Sequence, residues 1–290
     1  MYDTLISTSA LEKLMQEQQI ALFDCRFRLG DTLWGRVQYQ ESHIPDAIYL
    51  HLDDDLSAPV IPGQTGRHPL PDAHEFANRL GALGVGNETQ VVVYDDLGGA
   101  IAGRLWWMLR WLGHEAAAVL DGGWPAWLKE GRPQTDSQTE ITSQSFDLRL
   151  NEHLSLDAED VEKWRIDPDY LLIDARGADR YRGENETIDP VAGHIPGAIS
   201  APFAQNLDSD GHFLSRDALR QRFLPLNEEW RADRTVVYCG SGVTAAHHIL
   251  AMLHAGLGEA RLYPGSWSEW ITDDRRPLAR GEHVFGDNPP

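Results

Sequence analysis

The chain says most of its structural content twice. DCR at 24–26 is followed by HIPDAIYL at 43–50, and DAR at 174–176 by HIPGAIS at 194–200, roughly 150 residues further on. VVVYDD (91–96) has its counterpart in VVYCGS (236–241), VLDGGWPAW (119–127) in LYPGSWSEW (262–270), and KEGRP (129–133) in DDRRP (273–277). Landmarks in one order at nearly constant spacing define a tandem duplication, so the fold of one half constrains the other. In the first copy ALFDCR, AIYLHL, VVVYDD and AAVLDG read as buried strands, and HEFANRLGALGV and GGAIAGRLWWMLRWLGH as helices. In the second, YLLIDAR, AISAPF, VVYC and ARLYPG are the strands. There SRDALRQRF starts on a Ser N-cap, and GVTAAHHILAMLHAGL stops at a glycine.

This alternation predicts an α/β chain of two tandem domains, each a parallel sheet with helices on both faces. The expected division is a first domain over 1–135, a linker over 136–153 that is rich in Ser, Thr and Gln, and a second domain over 154–290. A formal charge of −20 argues against nucleic acid or an anionic membrane surface as partner. No apolar run reaches the roughly 18 residues of a membrane span. MYDTLISTSALEKLMQ carries no basic and apolar leader pattern. Two cysteines cannot make a disulfide framework, so a reducing, cytoplasmic setting is expected.

Cys239 ends a strand, Gly240 and Gly242 follow, and a helix is expected from about Thr244. In parallel α/β folds ligands bind at the carboxyl ends of strands. Glycines there let successive N–H groups turn inward as an anion nest, and the helix N-terminus adds partial positive charge. A thiol so placed is acidified from about 8.5 toward roughly 4–7. The alternative for Cys239 is a small buried hydrophobe, which leaves both glycines unexplained. Cys25, inside the DCR strand end, reads as structural. Asp95 stands where the first copy would carry its cysteine, so only the second copy can do thiol chemistry.

These residues resemble the tandem-domain rhodanese family of sulfurtransferases, across nearly the whole chain. The resemblance implies an inactive first copy and a second copy whose Cys239 carries a persulfide. The loop Cys239-Gly240-Ser241-Gly242-Val243-Thr244 is similar to that of the 3-mercaptopyruvate sulfurtransferases. It lacks the basic residues that thiosulfate-using rhodaneses typically carry there. A C-x5-R phosphatase loop would need arginine at Ala245, which is absent.

The resemblance further assigns Arg180, in an Arg-aromatic pair with Tyr181, to the donor carboxylate. Where the family's second arginine would fall, this sequence has Asp189, and Arg182 is a candidate substitute. It implies a proton relay of Ser241 with His68 in GRHPLP and with Asp53, whose neighbours Asp54 and Asp55 are alternatives in register. Gly240, Gly242, Val243 and Thr244 complete the expected substrate-binding loop.

The remaining candidates read as structural. His43 and His194 recur in both HIP motifs, His247 and His248 sit within a helix, and Trp124, Trp127, Trp267 and Trp270 repeat as packing residues. No spacing suggests a metal or nucleotide site, and no cofactor is expected.

The expected activity moves sulfane sulfur from 3-mercaptopyruvate to cyanide, a thiol or a thioredoxin-like protein. Thiosulfate:cyanide sulfurtransfer and a non-catalytic persulfide carrier are the alternatives.

Overall fold

The computed structural model describes residues 1–226 and 230–282. The chain forms two compact units. One comprises Met1–Ala58, Leu70–Glu152 and Asp208–Phe213; the other comprises Pro59–Pro69, His153–Leu207 and the chain from Leu214 onward.

The first unit contains β1 (Leu5–Ile6), α1 (Thr8–Glu17), β2 (Ala21–Asp24), α2 (Trp34–Glu41), β3 (Ala47–Tyr49), α3 (Ala73–Ala82), β4 (Val91–Tyr94), α4 (Ala102–Trp111), β5 (Ala117–Leu120) and α5 (Gly123–Lys129). Its five strands are all parallel, in the order β1-β5-β4-β2-β3. Residues of β2, β4 and β5 are buried throughout, which is why they read as unbroken apolar runs. Helix starts follow local chemistry: Ser7 Oγ accepts from the Ala10 amide, and Asp72 accepts from those of His74 and Glu75. The stretch expected as a linker carries almost no regular structure and is tied to this unit by its main chain. Gln144 donates to Gly81 (2.8 Å), Arg149 to Leu112 (3.0 Å) and Asn151 to Trp111 (2.8 Å).

The second unit contains α6 (Ala158–Trp164), β6 (Leu171–Asp174), α7 (Ala178–Arg182), β7 (Ala198–Ser200), α8 (Arg216–Phe223), β8 (Thr235–Tyr238), α9 (Thr244–His254), β9 (Arg261–Leu262) and α10 (Ser266–Trp270). Its parallel sheet runs β7-β6-β8-β9, the order of the first unit, with the counterpart of β1 reduced to one bridge between Ser155 and Leu262. Ser215 caps α8 through the Ala218 amide, and α9 gives way to Gly256 at φ +75°, as the sequence predicts.

The duplication extends to the packing. Arg26 pairs with Asp24, reaches the Ser42 carbonyl and lies over Trp124; Arg176 does the same with Asp174, the Gly193 carbonyl and Trp267. His43 and His194 stack on Tyr39 and Tyr181 and bond their carbonyls, so both are structural. Trp127 and Trp270 are buried and donate to Pro133 and Pro277. His247 and His248 are fully buried in α9, and burial pushes the pKa of His248 well down, so it sits there neutral. No described helix is long and apolar enough to cross a membrane.

Candidate active site

Cys239 is the first residue beyond β8, and its backbone is fixed by the turn that opens α10. Its N–H donates to Ser266 Oγ (3.1 Å), its carbonyl accepts from Trp267 (3.0 Å), and the Gly240 carbonyl accepts from Ser268 (2.9 Å). Ser266 holds a left-handed conformation at φ +56°, where the first unit uses Gly123 at φ +54°. Such a conformation costs a non-glycine residue about 1–3 kcal/mol. The Ser266 hydroxyl offsets this by donating to Tyr263 (2.9 Å) while accepting from Cys239. Gly242 is required outright: φ is +73°, and a Cβ would lie 2.3 Å from the Pro264 carbonyl oxygen.

The sulfur sits in a nest of donors. Burial pushes the Cys239 pKa up, but the Thr244 hydroxyl and the amides of Ser241, Val243 and Ala245 hydrogen-bond the thiolate, and the net shift is downward. The first unit supplies an internal control. The Asp95 carboxylate accepts from the amides of Leu97 (2.8 Å), Gly99 (2.8 Å), Ile101 (2.7 Å) and Ala102 (2.8 Å). In the aligned repeats Leu97, Gly99 and Ile101 correspond to Ser241, Val243 and Ala245. The same three backbone positions thus face an anion in both copies, a built-in carboxylate in one and a sulfur in the other. Cys25, by contrast, is fully buried and its pKa is pushed well up, by desolvation and then by the neighbouring carboxylates of Asp24, Asp95 and Asp55. It is a structural residue.

Residues 59–69 contribute to the second unit and bring polar groups to the loop. The segment docks where Gly66 permits close approach: a Cβ there would lie 2.6 Å from the Gly265 carbonyl oxygen. The Arg67 amide then donates to Ser268 Oγ (3.0 Å). This sets the buried His68 with Nδ1 2.7 Å from Ser241 Oγ. His68 and Ser241 are therefore brought together as the sequence suggests. Asp53 belongs to the first unit, where its amide donates to His51 Nδ1 (3.1 Å).

Arginine chemistry is where the structure departs most from the sequence reading. Arg180 does approach the loop, but as one member of an ion-pair cluster. Its Nε donates to Glu186 (3.0 Å) and its Nη2 to Asp189 (2.9 Å). Asp189, which occupies the place of the family's second arginine, binds Arg67 Nη1 with its other oxygen. A Cβ on Gly240 would meet Arg67 Nη2 at 2.7 Å and the two Nη atoms of Arg180 at 3.6 Å, so both guanidiniums overlie Gly240. The loop itself lacks basic residues, yet two cations reach it from distant sequence positions. Arg182 is not a substitute: it pairs with Glu184 (2.8 Å) and Glu282 (3.4 Å). Burial pushes the Asp189 pKa up against the pull of Arg67 and Arg180. Glu186 is likewise penalised by burial, but its bonds to Arg180, Asp189 and Ile188 bring its pKa down overall. Sequence reasoning missed Arg67 and Glu186. Arg67 stands in the GRHPLP motif beside His68, and Glu186 in the stretch leading to Asp189, but neither has a counterpart motif in the other copy to draw attention to it.

Two copies of a parallel sheet, with a strand–cysteine–glycine loop in the second, define a sulfur-handling α/β protein. The rhodanese-like domain model matches residues 7–130 and 157–273, and the chain belongs to that family. It is 47% identical over 279 residues to a protein described as a probable 3-mercaptopyruvate sulfurtransferase from Pseudomonas aeruginosa, covering 96% of this chain and 98% of that one. It is 34% identical to the thiosulfate sulfurtransferase of Rattus norvegicus, covering 93% of each. Among solved structures, the 3-mercaptopyruvate sulfurtransferase from Leishmania major superposes with a TM-score of 0.84 at 31% identity, covering 95% of this chain and 76% of that one.

Proposed function

We propose that the protein is a sulfurtransferase that takes sulfane sulfur from 3-mercaptopyruvate onto Cys239 and passes it to a thiophilic acceptor. The observation that carries this reading is the Cys239 sulfur held by three loop amides and the Thr244 hydroxyl, beside the Ser241–His68 pair. The thiolate attacks the donor's sulfur. An S–S bond forms and the C–S bond breaks, leaving its electron pair on pyruvate as an enolate. Ser241 with His68 delivers the proton that the carbon takes up, and the family resemblance adds Asp53 to this relay. The donor's thiol hydrogen stays on the outer sulfur, and the loop amides hold the persulfide. Cyanide would leave as thiocyanate and a thiol as its persulfide, each restoring the Cys239 thiolate. A thioredoxin-like protein fits the same chemistry as acceptor, and cytoplasm is the proposed setting. Asp95 fills the corresponding nest of the first copy, which leaves that copy without thiol chemistry.

The charge balance favours a single carboxylate over the thiosulfate dianion. The cations of Arg67 and Arg180 are already met by Asp189 and Glu186, so the cluster is formally neutral. The test is steady-state turnover with both donors on one preparation, with mass analysis of Cys239. The expected result is higher kcat/KM with 3-mercaptopyruvate, one added sulfur on Cys239, and none on Cys239→Ser. Preference for thiosulfate would replace the donor. Added sulfur without turnover would make the protein a persulfide carrier. Turnover by Cys239→Ser would end the scheme.

A further inference from the structure

We propose that Ser266 and Ser268 of α10 are positioning residues that hold the Cys239 sulfur and the His68 ring to one frame. The first unit shows what this turn needs for folding alone. There the aligned α5 opens on Gly123-Trp124-Pro125, and the Trp124 amide donates to the Asp95 carbonyl (2.8 Å) as that of Trp267 does to Cys239 (3.0 Å). Neither Gly123 nor Pro125 carries a polar side chain, and Pro125 has no N–H to donate. The second unit, which carries Cys239, has Ser266 and Ser268 in their places. Ser266 keeps a left-handed backbone at φ +56°, which glycine would adopt without strain. A strained residue kept where glycine serves in the other copy points to a demand beyond folding.

The two hydroxyls grip different parts of the site. Ser266 Oγ is buried, accepts from the Cys239 amide (3.1 Å) and donates to the Tyr263 carbonyl (2.9 Å). The Cys239 main chain is thereby kept from swinging its sulfur off the amides of Ser241, Val243 and Ala245. Ser268 holds the next residue and the segment that covers it: its N–H donates to the Gly240 carbonyl (2.9 Å), and its Oγ accepts from the Arg67 amide (3.0 Å). Gly66 lets that segment lie close, since a Cβ there would be 2.8 Å from Ser268 Oγ. Arg67 precedes His68, whose Nδ1 is 2.7 Å from Ser241 Oγ. The bonds close a ring, from Ser266 to Cys239, along the loop to Ser241, across to His68, and back through the Arg67 amide to Ser268. One five-residue turn of helix therefore sets the distance between the sulfur and the relay.

The part played by Ser268 rests on the sulfurtransferase reading, which gives His68 its proton to move; the part played by Ser266 does not. The test follows alkylation of Cys239 by iodoacetamide across pH, read by mass. Ser266→Gly installs the residue of the first copy, so the circular dichroism spectrum should persist. Its alkylation rate should nevertheless fall about fivefold on the acid limb of the profile, with the midpoint moved alkaline by about 0.7, the equivalent of one ordinary hydrogen bond. Ser266→Ala lacks the same hydroxyl and should fall at least as far. Ser268→Ala should leave the alkylation profile in place and lower kcat about fivefold with KM within about threefold, on whichever donor the wild type turns over. A Ser266→Gly profile that superimposes on the wild type overturns the proposal. So does a Ser266→Gly variant that fails to fold, because the hydroxyl would then be a folding requirement. An unchanged kcat in Ser268→Ala overturns the frame that ties it to His68. A wild type that does not turn over 3-mercaptopyruvate, together with a displaced Ser266→Gly profile, would refute the donor and support the hold on the sulfur.

Discussion

Replacing Thr244 by valine removes a hydroxyl that hydrogen-bonds Cys239 Sγ while keeping the β-branched shape at the first residue of α9. The amides of Ser241, Val243 and Ala245 remain, so the nest is weakened and not dismantled. A hydrogen bond to a charged group contributes about 1.5–3 kcal/mol. Since a tenfold change in acidity corresponds to about 1.4 kcal/mol, the thiol pKa should rise by roughly 1–2. Thiolate ultraviolet absorbance followed against pH, with Cys239→Ser as the blank, reads this directly. Cys25 stays silent in that range because its own pKa is pushed well up. The sign follows from the reactive species. In the proposed scheme Cys239 attacks as thiolate, so rates fall on the acid side of its pKa, and raising the pKa moves that fall toward alkaline pH. At neutral pH the donor half-reaction should slow by up to about tenfold for a pKa raised by about 1, and recover as the solution is made alkaline. A valine variant whose titration superimposes on the wild type would refute the claim that this hydroxyl helps to hold the sulfur ionised.

Two further predictions concern the backbone nests. Asp95→Ala strips the acceptor from four amides, three of them in buried bonds, and should destabilise the first unit by about 3–5 kcal/mol in urea denaturation; a loss under about 1 kcal/mol would mean that the carboxylate does not organise that loop. Gly242→Ala places a Cβ against the Pro264 carbonyl in a left-handed conformation, so sulfur loading of Cys239 should fall at least about tenfold while the circular dichroism spectrum persists; normal loading would show that the loop tolerates the added methyl group.

Much of the architecture was readable because a buried parallel sheet demands long apolar β-branched runs, and this chain supplies each central one twice. β2, β4 and β6 lie within the expected runs, β8 starts one residue before its run at Thr235, and α9 begins at Thr244 as expected. Three short helices were silent. α2, α7 and α10 span eight residues or fewer, and Ser266 gives no sign in the sequence that it must take up a conformation glycine prefers.

The sequence by itself determined the duplication and the parallel α/β class, and it set Cys239 opposite Asp95, the basis for proposing thiol chemistry in the second copy alone. These are local properties: strand composition, glycine spacing and the identity of one residue at a strand end. Tertiary structure alone decided which charges reach the sulfur. Arg67, Arg180, Glu186 and Asp189 meet because residues 59–69 join the second unit, more than a hundred residues along the chain from the loop they cover. Ion pairing depends on distance in space, and no periodicity in the chain records which distant guanidinium a buried carboxylate will hold.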